Sequence, residues 1–193
     1  MIVSYFIHLL ILIGIYFILA ISLQLSLGYS GLLNLGHIAF FGIGAYVSAI
    51  LSLDGPPLLI CILVAGIISG FFGWLLSLPT NKLKGDYLIL TTLGFSFVVY
   101  TIFLNWTEMT KGPFGLSGIP RPNILGIDFS NNTFFLILVI IFALASYFFI
   151  HRICTSPFGK ALEATRDDEL AVKTLGKNTL KLKSISLVVS AFF

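Results

Sequence analysis

The sequence predicts an all-α fold, a polytopic integral membrane helical bundle, and three observations carry that reading. Of its 193 residues 58% are apolar and only 10% are charged, whereas soluble domains carry roughly a quarter charged residues. A globule of this size could not hide so many Leu, Ile and Phe side chains from water, which excludes a soluble enzyme, a nucleic-acid binder and a disordered chain. The charges are also confined: none precedes Asp54, and the others fall at 82–86, from Glu108 to Asp128 and from Arg152 to Lys183. Between them run apolar stretches of about 20 residues, the length a helix needs to cross about 30 Å of hydrocarbon. Continuous apolarity without period-two alternation selects helices over a closed barrel.

Five full spans are expected at 5–28, 32–52, 57–78, 87–105 and 133–151, with the start of a sixth near Ser184. The first is not a removable signal: its apolar stretch is too long, no basic residue precedes it and no small-residue cleavage site follows. Gly28-Tyr29-Ser30-Gly31 separates spans one and two by too few residues for an ordinary loop, and Asn34, Gly36, His37, Gly42 and Gly44 leave the next segment polar and thin. Non-helical backbone at membrane depth needs surrounding protein or a wet cavity. The glycines either let helices pack closely, as Gly66 and Gly70 do in a G-x-x-x-G pair, or line a solute pathway. Asn34 and His37 should face protein or water in both cases, because a polar side chain on a lipid face is costly. In the fourth span Thr92, Ser96 and Tyr100 form one stripe with Thr91 beside it. Such hydroxyls either bond their own i−4 carbonyls or offer an uncharged stripe suited to a neutral or zwitterionic solute. The candidate pathway residues are therefore Gln24, Ser30, Asn34, His37, Thr91, Thr92 and Ser96.

The loops set orientation. The 152–183 segment carries seven Lys and Arg residues and the 79–86 loop carries Lys82 and Lys84, so both are expected in the cytoplasm and 106–132 outside. Counting back puts the N-terminus outside, or inside if 28–44 is re-entrant. Cys61 and Cys154 then lie near opposite membrane faces, which forbids a disulfide. The outer loop from Lys111 to Pro122 mixes turn formers with apolar residues, and the full connection of about 27 residues is long enough to suggest binding. In the inner segment Ser156-Pro157 reads as a helix start. Thr165 and Asp168 have capping-box spacing, and Asp167, Asp168 and Glu169 suit the positive end of the next helix dipole, with Lys173 and Lys177 at its negative end. Gly176 supplies a stop, and Leu170, Ala171, Val172 and Leu175 give the short helix an apolar side. Its acidic first turn would be repelled by anionic lipid, so a protein partner is favoured over the membrane surface. No G-x-x-x-x-G-K-[ST], H-E-x-x-H or G-x-S-x-G occurs, and His8, His37 and His151 fall in different spans. No catalytic residue, metal or cofactor is expected.

Gly28-Tyr29-Ser30-Gly31 with Leu35-Gly36-His37 and Gly42-Ile43-Gly44-Ala45-Tyr46, then Lys84-Gly85-Asp86-Tyr87, Gly115-Leu116-Ser117-Gly118-Ile119-Pro120-Arg121-Pro122 and Ser156-Pro157-Phe158-Gly159-Lys160-Ala161-Leu162 with Gly176 resemble the M-type permease of the branched-chain amino acid ABC importer. The resemblance covers almost the whole chain, and the Gly-Leu-Ser-Gly-Ile-Pro run leans toward the amino acid branch over permeases for urea or another small neutral solute. It implies a non-enzymatic permease subunit, multi-pass in the plasma (inner) membrane of a prokaryote, embedded in lipid and binding no nucleic acid. It further implies a second permease subunit, two cytoplasmic ATP-binding subunits that hydrolyse ATP, and an extracytoplasmic substrate-binding protein received at Gly115, Leu116, Ser117, Gly118, Ile119, Pro120 and Arg121. The inner loop would dock on the ATPase through a Glu-Ala-Ala…Gly-like signature, matched either by Glu169, Ala171 and Gly176 or by Glu163 and Ala164, with Leu170, Val172 and Leu175 as the expected coupling contacts and Asp168 beside them. Residues 1–193 are expected to form a single transmembrane permease domain, incomplete because the family continues with further spans, in which 152–183 is the coupling loop.

Overall fold

The computed structural model describes residues 2–81, 83, 85–121, 123, 124, 127, 128 and 131–193, with backbone alone at Ile2 and at 123, 124, 127 and 128. Lys82, Lys84 and Pro122, used above for orientation and motifs, lie outside the described residues. Helix α1 (Ile2–Gln24) continues into a π-helical turn, Leu25–Tyr29. There follow α2 (His37–Leu53), α3 (Leu58–Thr80), α4 (Asp86–Asn105), the short α5 (Thr107–Thr110) and a 3-10 turn, Gly112–Phe114. A two-residue antiparallel ladder pairs Asn123 with Asp128 and Ile124 with Ile127. Then come α6 (Asn132–Cys154), α7 (Pro157–Asp167), α8 (Glu169–Thr174) and α9 (Thr179–Phe192). Four segments are long and apolar enough to cross a membrane: Val3–Tyr29, Leu58–Thr80, Asp86–Asn105 and Asn132–Cys154. With α2 and the start of α9 they make the expected all-α polytopic bundle.

The second span departs from expectation. Its helix starts at His37, not at residue 32, and residues 31–36 are not helical. Gly31, at φ +67°, turns the chain out of the π-helical turn, a conformation that a Cβ disfavours. At the inner segment the Ser156 hydroxyl accepts from the Gly159 N–H and Pro157 occupies the first turn, as expected. The cap of α8 is Asp168 rather than Thr165: its Oδ1 accepts from the Leu170 and Ala171 N–H groups. Thr165 lies inside α7 and donates to the Ala161 carbonyl, because α7 continues to Asp167 before the chain breaks. Gly176, at φ +77°, closes α8 while its N–H bonds Lys173 O and the Lys177 N–H bonds Val172 O, the pattern of a Schellman stop.

The interior is built from small and hydroxylated side chains. Ser22, Ser26, Ser69, Ser77, Thr80, Thr92, Ser186 and Ser190 are buried, while Ile38, Phe97, Leu144 and Phe148 point outward. Lipid is as apolar as leucine, so helices in it associate by close packing and hydrogen bonding rather than by burying apolar surface. Gly66, Gly70 and Gly73 of α3 lie directly against Phe192, Val188 and Ala191 of α9. Gly42 packs on Phe103 and Gly44 on Ser69. Close approach is thus the use these glycines have. Helix α1 runs parallel to α6, with Gly14 on Val139 and Leu25 on Ile150 and Cys154. The π-helical turn, Asn81 and residues 155–178 share one face of the bundle, tied by Arg166 to Gly28 O and by Asn81 to Ser184. The 54–57 turn and Ile119–Arg121 share the opposite face. Helix α2 therefore runs from the face that holds the π-helical turn to the face that holds Ile119–Arg121. Cys61 and Cys154 are free thiols near opposite faces.

Candidate functional site

The broken second span packs against protein through Leu32, Asn34 and Gly36, while Gly31, Leu33 and Leu35 are exposed. Leu35, in the middle of the non-helical stretch, gives its N–H to Thr92 Oγ1 at 3.2 Å and receives the Ser96 hydroxyl on its carbonyl at 3.1 Å. The α4 stripe therefore serves a backbone that lipid could not satisfy. Thr91, on the neighbouring position, only donates to Tyr87 O in its own helix, and Tyr100 of the same stripe is exposed. Gly36 seats its backbone against Thr92 O, where a Cβ would stand 2.9 Å away. Ser30 donates to Ser26 O and meets Ser186 Oγ of α9 at 3.3 Å, and Ser186 donates to Leu25 O. Gln24 is exposed, its amide folded over Gly28.

Asn34 and His37 are deeply buried, at 5% and 4% exposure. The Asn34 Oδ1 accepts from the Gly36 N–H, and the His37 Nε2 lies 2.8 Å from Ser22 Oγ, whose proton goes to Leu19 O. Among the described residues Asn34 Nδ2 and His37 Nδ1 have no hydrogen-bond partner, and no side chain caps α2. Buried polar atoms left in this state are uncommon and costly, so the break concentrates unused hydrogen-bonding capacity beside a helix N-terminus.

The inner segment lies directly beneath. Val172 turns inward at 6% exposure, whereas Leu170 and Leu175 stand out at 71% and 79%. Glu163, Ala164, Ala171 and Gly176 are also exposed. Asp168 is engaged in capping α8. Glu169 bonds Lys173 and Lys183, each at 2.9 Å, and receives the Thr179 hydroxyl at 3.1 Å. It therefore works inside the fold, tying α8 to the start of α9. These partners, Lys173 first and then Lys183, hold its carboxyl down at about 2, against an ordinary value of 4.5. A depressed carboxylate contributes stability above its unfolded value that disappears as pH falls through its folded one. Glu169→Gln is thus expected to lower the thermal midpoint in detergent at neutral pH by the equivalent of about 1 kcal/mol. The gap should close between pH 4.5 and about 2, measured by circular dichroism on both proteins.

On the opposite face Gly115 and Gly118 adopt φ of +66° and +77°, within an irregular 115–121 loop. Gly115 and Leu116 are half-buried there, while Ser117, Gly118, Ile119, Pro120 and Arg121 are exposed. Arg121 lies over the Phe135 ring at 5.4 Å. Beneath Ile119–Arg121 an apolar cleft of about 710 Å³ opens between α1, α2, α3 and α6. Two partners of the break escape any local pattern: Arg166 and Ser186 stand 138 and 156 positions from the residues they hold.

Residues 5–193 match the family model described as branched-chain amino acid transport system / permease component. The chain is 36% identical, over 93% of its length, to the high-affinity branched-chain amino acid transport system permease protein LivM of Salmonella typhimurium, and likewise to that of Escherichia coli, covering 48% of each. It is 28% identical, over 92% of its length, to the probable branched-chain amino acid transport permease protein LivM of Methanocaldococcus jannaschii, covering 61% of it. The chain spans about half the length of the two bacterial relatives. No solved structure matches it.

Proposed function

The chain belongs to the branched-chain amino acid transport permease family, and from that premise we propose that it is a permease subunit of an ABC importer, moving leucine, isoleucine or valine across the membrane by alternating access. The observation that carries this reading is a span broken at membrane depth, with unused polar atoms on Asn34 and His37, directly above an inner segment that presents Leu170 and Leu175 to a partner. A lipid-exposed break would be prohibitive, and transporters place such breaks where the solute meets them.

In this reading 1–193 is a single permease domain whose 152–183 loop, with its seven Lys and Arg residues, lies in the cytoplasm of a prokaryote and docks on two ATP-binding subunits. ATP hydrolysis is theirs. Leu170 and Leu175 are the contacts, with Glu163, Ala164, Ala171 and Gly176 around them; Asp168, Glu169 and Val172 shape the loop from within. Gly115–Arg121 meets the extracytoplasmic substrate-binding protein, and a second permease subunit completes the pathway. Asn34 and His37 offer the polar atoms a zwitterionic solute meets when the break opens, Gln24, Ser30 and Thr91 lie nearby, and Thr92 and Ser96 hold the segment in place.

Uptake into proteoliposomes containing the full-length protein with its partner subunits tests the reading. ATP-dependent, saturable uptake of labelled leucine is expected, with urea excluded. Urea uptake without leucine uptake would assign the chain to the neutral-solute branch and overturn the substrate assignment.

A further inference from the structure

Resting on that reading, we propose that Arg166 is a positioning residue that pins the inner segment to the broken span, so that displacement of α7 is passed to residues 28–36. The Arg166 Nη1 donates to the Gly28 carbonyl at 2.6 Å, at the end of the π-helical turn where a carbonyl loses its helical partner. A guanidinium there also complements the negative end of the helix. Its aliphatic stem covers Gly31: a Cβ at that position would meet Arg166 Cγ at 2.7 Å. The guanidinium is itself held from α7, by Asp167 at 3.0 Å and Glu163 at 3.8 Å.

Three elements thus grip the break among the described residues: α4 through Thr92 and Ser96, α9 through Ser186, and α7 through Arg166. The first two are membrane-embedded helices and their grips are neutral hydroxyls. The third reaches up from the segment that a motor would move, and it is charged. A charge-assisted bond to a main-chain oxygen is roughly twice as strong as a neutral one, and Arg166 grips two consecutive features, Gly28 O and the Gly31 turn. Moving α7 by an ångström therefore drags the turn before it breaks the contact. Leu35 and the uncapped N-terminus of α2 follow, because residues 31–36 have no helix of their own to absorb the shift.

The test uses the full-length protein with its partner subunits, comparing Arg166→Ala, Arg166→Gln and Arg166→Lys. Amide exchange at 28–36 is expected to quicken about tenfold in Arg166→Ala and Arg166→Gln, and to return toward the parent rate in Arg166→Lys, while exchange in α8 stays unchanged. ATPase subunits should still co-purify, and ATP hydrolysis should persist with leucine uptake reduced about tenfold. If Arg166→Ala fails to accumulate, Arg166→Gln supplies the same reading, since it keeps a stem over Gly31. Parent-like exchange and uptake in both neutral variants would overturn the pin. Altered exchange in variants whose parent never captures an ATPase subunit would support the pin as a local contact and overturn the docking reading beneath it.

Discussion

Replacing Leu175 with aspartate is expected to cut leucine uptake and substrate-stimulated ATP hydrolysis by about thirtyfold in the assembled transporter. Leu175 is 79% exposed at the end of α8 and packs no core, so the fold has little to lose and a surface substitution there should cost within about 0.5 kcal/mol. An apolar anchor seated in a partner's pocket is worth about 2 kcal/mol or more, which is about thirtyfold, and a buried unpaired carboxylate adds to the loss. Aspartate is also unfavourable at the negative end of a helix dipole, whereas lysine is favourable there. Leu175→Lys separates the two effects: if docking matters, it fails as badly as Leu175→Asp although it suits the helix. Membrane yield and thermal midpoint are the controls. Parent-like coupling in both variants would sink the assignment of α8 as the docking element.

The largest effect on folding is expected from Gly159→Ala. Ser156 and Pro157 reverse the chain so sharply that α7 folds back onto the last turn of α6. A Cβ on Gly159 would stand 2.6 Å from the Cα of Cys154 and closer still to its carbonyl. Backbone cannot rotate away as a side chain can, so relief requires α7 to lift. Leu162, fully buried against Leu25, Ile150 and Cys154, would lift with it. Overpacking commonly costs about 1–3 kcal/mol, and a clash between two main chains belongs at the top of that range or above. Membrane yield should collapse and the midpoint in detergent should fall by many degrees. Gly94→Ala is the matched control, since a Cβ there meets nothing within 4 Å and alanine favours the helix by up to about 1 kcal/mol. Equal midpoints for the two variants would show that the α6–α7 contact is not made.

The long spans were legible because lipid imposes a simple rule. Every backbone group must be satisfied within its own helix, so apolar runs such as 57–78 and 133–151 admit one solution. Ser156-Pro157 and Gly176 were legible for a similar reason, since each acts on its own chain neighbours. The α8 cap was misplaced by three residues because Thr165 and Asp168 both fit the capping pattern locally. The choice fell to Asp168 only when α7 extended to Asp167. Asn34 and His37 had to be interior, as polarity in lipid requires, but nothing near them in sequence named Ser22 or the unused atoms.

Lipid as the solvent and the all-α, multi-pass bundle follow from composition and spacing, because water and hydrocarbon sort residues one at a time. The work given to individual side chains does not follow in that way. Thr92 and Ser96 hold the Leu35 peptide, Glu169 turns inward to Lys183, Val172 hides while Leu175 protrudes, and Arg166 grips Gly28. Each depends on which distant helix passes within hydrogen-bond reach, and a contact between residues 57 or 138 positions apart exists only after packing has brought them together.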